Sequence, residues 1–131
     1  MNVQGHTHYI RRLLEGMGLW SLLMESNIQF ITLAELRLPY NIDDATLWRR
    51  CQDDRWVLFT DNRNRENNTS LQAAISSMSR PGDLPVLTLS GKGKFERFAE
   101  YRQRVAIDIA DLLLGILDGE FCDRDRIYVP R

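Results

Sequence analysis

Apolar positions change their period several times along the chain, and each change marks a new element. Ile10, Leu13, Leu14 and Met17 recur at helical spacing from about His8, and Leu19, Trp20, Leu22 and Leu23 form a second cluster beyond Gly16 and Gly18. One helix or two short ones, ending near Met24, are predicted. NIQFIT, 27–32, reads as a short strand, and LAELRLPYNI, 33–42, as a turn of helix stopped by Pro39 and followed by a loop. Asp43 or Asp44 is suited to cap a helix through about Gln52, because a carboxylate at a helix start accepts free backbone N–H groups and meets the positive end of the dipole. Leu47, Trp48 and Cys51 make its inner face.

WVLFT, 56–60, is nearly continuous in apolar residues, as befits a strand covered on both faces in a parallel sheet. Thr69 or Ser70 then caps a helix whose stripe is Leu71, Ala74, Ile75 and Met78, and RPGD, 80–83, ends it. LPVLTLS, 84–90, is a second buried strand. GKGK, 91–94, reads as a loop, and 95–117 as one long helix with Phe98, Tyr101, Val105, Ile109, Leu112 and Ile116 turned inward. RIYV, 126–129, supplies a last strand. Alternation of strands and helices predicts an α/β fold, a three-layer arrangement with helices on both faces of a short parallel sheet whose central strands are 56–60 and 84–89. At 131 residues, with no repeat or linker, the chain reads as one domain over 1–131.

Composition narrows the function classes. With 44% hydrophobic and 27% charged residues the chain has the make-up of a soluble globular protein. Its 17 basic and 18 acidic residues give a net charge of -1, which excludes a global attraction to nucleic acid or to an anionic membrane; such binding requires a local patch. Cys51 and Cys122 form no CxxC or Cys/His spacing, so neither a disulfide framework nor a structural zinc site is expected, and a reducing cytoplasm fits. No apolar run approaches the ~20 residues that span a bilayer. MNVQGHTHY lacks the basic start and apolar middle of a signal peptide, so neither export nor insertion is expected.

The candidate chemistry begins where the apolar strand stops. WVLFT runs directly into DNRNREN, 61–67, and in parallel α/β folds polar chemistry collects outside the carboxyl ends of the strands. The stretch ITLAELRLPYNIDDATLWRRCQDDRWVLFTDNRN, 31–64, resembles the small stand-alone PIN-like nuclease domains related to toxin ribonucleases. That family passes from a short strand to a (D/E)LGL-like turn, an Asp opening a helix, and a strand ending in Thr with Asp at the second and fourth places beyond it. The counterparts are Glu35-Leu36-Arg37-Leu38, Asp44, WVLFT, and the positions of Asn62 and Asn64.

The resemblance implies an endoribonuclease that uses Mg²⁺ or Mn²⁺, since hard divalent ions prefer charged oxygen ligands and lower the pKa of an attacking water. It assigns the metal to Asp44, with Asp61 standing in for lost carboxylates; Thr60, Asn62 and Asn64 position ligands or water, and Arg63 or Arg65 holds phosphate. Asp43, Glu35 and Glu66 are weaker substitutes. The Asn of the family's first Asp-x-Asn element matches Asn2, so its Asp and most of the first strand would precede Met1. Asn62 and Asn64 offer carbonyl oxygens without charge, so the second expectation is a non-catalytic PIN-like module that binds RNA or a protein partner such as an antitoxin. A homodimer that covers the incomplete sheet edge is a further expectation.

His6 and His8 stand near the first acidic position and bear on phosphate or metal, yet no third ligand has a recognisable spacing. SGKGKF lacks the GxxxxGK[ST] spacing of a phosphate loop. Lys92, Lys94, Arg97, Arg102 and Arg104 outnumber Glu96 and Glu100, which fits either a solvated helix face or a nucleic-acid track. Trp20, Trp48 and Trp56 read as core or interface rather than base-stacking platforms.

Overall fold

The computed structural model of the chain describes residues 6–28, 37–39, 42–60 and 71–131, without the side chains of 6–9, 44, 71, 72 and 74. The first helical stretch is two helices, α1 (His6–Gly16) and α2 (Leu19–Glu25). Gly18, at φ 76°, makes the break, in a left-handed conformation that a Cβ would strain. The predicted strand over 27–32 and the turn over 33–42 fall mostly outside the described residues.

α3 (Asp44–Asp53) opens as its sequence requires. Asp43 is the cap: its Oδ2 accepts from the Thr46 N–H and from the Thr46 hydroxyl, each at 3.1 Å. At the far end the Trp56 N–H donates to the Cys51 carbonyl at 2.7 Å and turns the chain into β1 (Phe59–Thr60). This strand is shorter than the expected 56–60, although the Leu87 N–H also bonds to the Leu58 carbonyl at 2.9 Å. α4 (Leu71–Met78) follows. Ile75 is buried as expected, whereas Met78 is exposed, because Ile75 already fills the contact with α3 and the helix ends at Met78.

β2 (Val86–Leu89) lies in the middle of a parallel sheet of order β1-β2-β3, with β3 (Arg126–Val129) on its other side. Every residue of β2 is buried. Among the described residues β1 stands at an edge, not at the centre as the sequence suggests.

Side-chain alternation sends neighbours to opposite layers. Leu58 and Val86 pack with Leu47, Trp48 and Cys51 of α3 and Ile75 of α4. Phe59, Leu87, Leu89, Ile127 and Val129 pack on the other face, with Ile10 and Leu14 of α1 and Leu23 of α2. The same cluster contains Val105, Ile109 and Leu112 of the last helix. Full burial of such a side chain contributes roughly 1.5–3 kcal/mol, so the two faces together explain why the apolar run at 56–60 is continuous.

The region after β2 departs most from expectation. GKGK is not a loop: α5 (Lys92–Arg97) begins there, with the Phe95 N–H donating to the Gly91 carbonyl at 2.8 Å. Buried Phe95 anchors this short helix. Nor is 95–117 continuous. Phe98, at φ -118° and ψ 116°, is extended and separates α5 from α6 (Ala99–Leu117). A non-helical residue resets the phase of an apolar stripe, so Phe98 points outward and is 57% exposed, while Val105, Ile109 and Leu112 remain buried.

The break orphans carbonyls that an unbroken helix would satisfy. Arg102 replaces the lost donors, since its Nη1 donates to the Phe95 carbonyl at 2.8 Å and to the Glu96 carbonyl at 3.2 Å. Beyond α6 the chain folds back flush on the helix: the Glu120 N–H donates to the Gly115 carbonyl at 2.8 Å, and a Cβ at Gly115 would collide with the Phe121 ring. Arg131 closes against α6, its backbone N–H and Nε donating to Asp108 at 2.6 and 2.7 Å.

Candidate functional site at the carboxyl edge of the sheet

Because all three strands are parallel, Thr60, Leu89 and Val129 end on one edge. The position of α3 follows from its other end. Gln52 is buried and forms two hydrogen bonds with Leu84, donating to its carbonyl and accepting from its N–H, both at 2.8 Å. Leu84 precedes β2, so the last turn of α3 is fastened to the amino edge of the sheet. A ten-residue helix rises about 15 Å, which carries its first residue, Asp44, to the carboxyl edge where Thr60 ends β1.

A row of hydroxyl-bearing residues crosses the sheet at this level. Thr60 pairs in register with Thr88, and Thr88 with Tyr128; all three share the α3 face, two positions beyond Leu58, Val86 and Arg126. Thr88 is fully buried, and its Oγ1 has no hydrogen-bond partner among the described residues. Trp48 Nε1, on the same side of the sheet, also has none there. At the end of β2 the Ser90 N–H and hydroxyl both donate to the Val129 carbonyl, at 2.9 and 3.0 Å, and the hydroxyl lies 3.0 Å from the Tyr101 hydroxyl. Tyr101 approaches so closely that a Cβ at Gly91 would lie 2.6 Å from its oxygen. Any side chain there would have to displace the Tyr101 hydroxyl.

Charged side chains pair at both edges, with Arg131 joined to Asp108 and Asp111 beyond the carboxyl end of β3. Near the amino edge Arg49 pairs with Asp53 at 3.2 Å and with Asp83 at 4.0 Å, Arg80 reaches Asp53 at 3.5 Å, and Arg55 donates to the Gly82 carbonyl at 2.8 Å. At the carboxyl edge Lys94 and Arg97 are exposed and make no ion pair among the described residues.

Of the residues singled out by sequence, Thr60 is the last of β1 and half-buried, and Asp44 opens α3 on the same edge, its side chain not described. Asp43, read as a substitute carboxylate, has one oxygen engaged as the helix cap. His6 opens α1, again without a described side chain. Asn2, Asp61, Asn62, Arg63, Asn64 and Arg65 lie outside the described residues, as do Glu35 and Glu66. Among the described residues no group of three or more His, Cys, Asp or Glu is placed to share a metal ion.

Sequence reasoning passed over Thr88 and the exposure of Phe98. The threonine between two leucines in LPVLTLS was the available signal for the first; nothing in the sequence announced the second. No protein-family model, no curated protein and no solved structure matches the chain. The structure defines a class: a mixed α/β architecture, with a short three-stranded parallel sheet flanked by helices. Among the described residues no helix is long and apolar enough to cross a membrane.

Proposed function

We propose that the chain is a PIN-like, metal-dependent endoribonuclease with its site at the carboxyl edge of the sheet. The observation that carries this reading is the approach of two separated sequence elements to one edge: the start of α3 at Asp44 and the end of β1 at Thr60. Two carboxylates, from Asp44 and Asp61, would hold Mg²⁺ or Mn²⁺, which suits hard ions that favour anionic oxygen. When bound, the ion supplies charge stabilisation on phosphate and a more acidic water. Thr60, with Asn62 and Asn64, would orient water and ligands through hydroxyl and amide oxygens, and Arg63 or Arg65 would hold the RNA phosphate in a bidentate grip. Asn2 and His6 would complete the substrate-binding side.

In wild-type protein we expect Mn²⁺-dependent cleavage of RNA that chelator abolishes. Asp44→Asn is expected to lose that turnover while keeping its fold. Unchanged cleavage by Asp44→Asn in a clean preparation would sink the reading.

One observation favours a second reading: Asn62 and Asn64 stand where the family pattern has Asp. A degenerate module would bind RNA, or a protein partner such as an antitoxin, at the same edge, and would cleave RNA with no divalent ion.

A further inference from the structure

The elbow between α5 and α6 has three features that belong together. First, Phe98 is extended and 57% exposed, an aromatic ring in water at a position where the surrounding apolar stripe is buried. Second, its conformation is built: Arg102 satisfies the Phe95 and Glu96 carbonyls that the break orphans, and the Phe98 N–H donates to the Lys94 carbonyl at 2.9 Å. Third, the charge balance inverts locally. Residues 92–104 carry five cations against two carboxylates, whereas the remainder of the chain carries twelve against sixteen.

Lys94 and Arg97, three residues apart on α5, lie on one helical face immediately before the ring. The elbow is also on the proposed active edge. β2 ends at Leu89, α5 begins at Lys92, and α6 must return to the amino edge before β3 can run parallel to β2.

We infer that the α5–α6 elbow is a binding site for single-stranded RNA, in which an unpaired base stacks on Phe98 and the flanking phosphates lie on Lys94 and Arg97. Stacking needs a base face that a duplex conceals, and every base has one, so such a platform binds single strands with little regard to sequence. The two cations supply attraction that the chain as a whole, at a net charge of -1, does not. Choice of RNA rests on the proposed nuclease reading; the preference for an unpaired strand comes from the elbow itself.

The test is fluorescence anisotropy in EDTA with a short labelled oligouridine and with the same strand paired to oligoadenylate. Wild type is expected to bind the single strand more tightly than the duplex. Phe98→Ala should weaken single-strand binding by about tenfold, and Phe98→Tyr, which keeps a stacking face, should retain it. Replacing Lys94 and Arg97 together by Gln should reduce the slope of log affinity against log salt by roughly 1.4, two contacts at about 0.7 each. No single-strand binding by wild type, equal binding of the duplex, or Phe98→Ala or Phe98→Tyr behaving contrary to these expectations overturns the inference.

Binding in EDTA is independent of metal-dependent cleavage. Phe98-dependent binding without Mn²⁺-dependent turnover leaves the elbow standing and removes the nuclease. Turnover with Phe98-independent binding does the opposite.

Discussion

The two edges of this sheet solve different physical problems. At the amino edge side chains fasten one element to another: Gln52 satisfies both backbone groups of Leu84, and Arg49, Arg80, Asp53 and Asp83 offset one another. At the carboxyl edge polar groups are presented. Thr88 carries a buried hydroxyl with no partner among the described residues, and Lys94 and Arg97 face water beside an exposed Phe98. Among the described residues, the groups left exposed without an ion pair beside an aromatic ring lie at the second edge, and the capacity for binding lies with them.

The strongest way to break the comparison is Gln52→Leu. It fills similar space but leaves the Leu84 N–H and carbonyl buried and unpaired, so stability should fall by roughly 2–3 kcal/mol. Urea unfolding with an unchanged slope and a lower midpoint would show it; a loss within ~0.5 kcal/mol, the range of an ordinary surface substitution, would mean the amino edge is not fastened as described.

Thr88→Val tests the other edge with the opposite sign. Removing a buried hydroxyl that lacks a partner should raise stability by about 1 kcal/mol. A destabilised variant, read from the same urea midpoint, would show that the hydroxyl has a partner.

The smallest effect is expected from pH at the amino edge. Burial pushes the Cys51 thiol up, with the neighbouring Asp54 adding to it. The folded state therefore holds the proton more tightly than the unfolded chain. Stability from this group is complete below the ordinary thiol value of about 8.5 and is lost as pH rises from there through the raised folded value. Cys51→Ala should show a shallower alkaline fall in urea midpoint than wild type, and parallel falls would assign the loss to other groups.

Much of the fold could be read from the chain because burial leaves a period. WVLFT and LPVLTLS announced strands covered on both faces, and Leu58 and Phe59 do enter opposite layers. Leu47, Trp48 and Cys51 gave the inner face of α3, and Asp43 its start. The parallel carboxyl edge, and Thr60 and Asp44 upon it, followed from the order of elements.

What escaped is local geometry that no period records. The helix break at Phe98 depends on Arg102 reaching back over it, a contact seven residues from Phe95 that leaves the apolar spacing of the sequence undisturbed. GKGK looked flexible because glycine usually weakens helices, yet the burial of Phe95 draws the segment into one. The candidate site is legible only in outline, since the side chain of Asp44 and the whole of Asp61 lie outside the described residues.

Gly115 has a consequence of another kind. The ring of Phe121 occupies the space a methyl group would need, so even alanine there must push that ring off the helix. In a saturation screen this position should appear as intolerant as any residue that touches a substrate. Such a score would measure clearance between a helix and the strand that follows it, and a map of tolerance alone would mistake a hinge of passage for a centre of reaction.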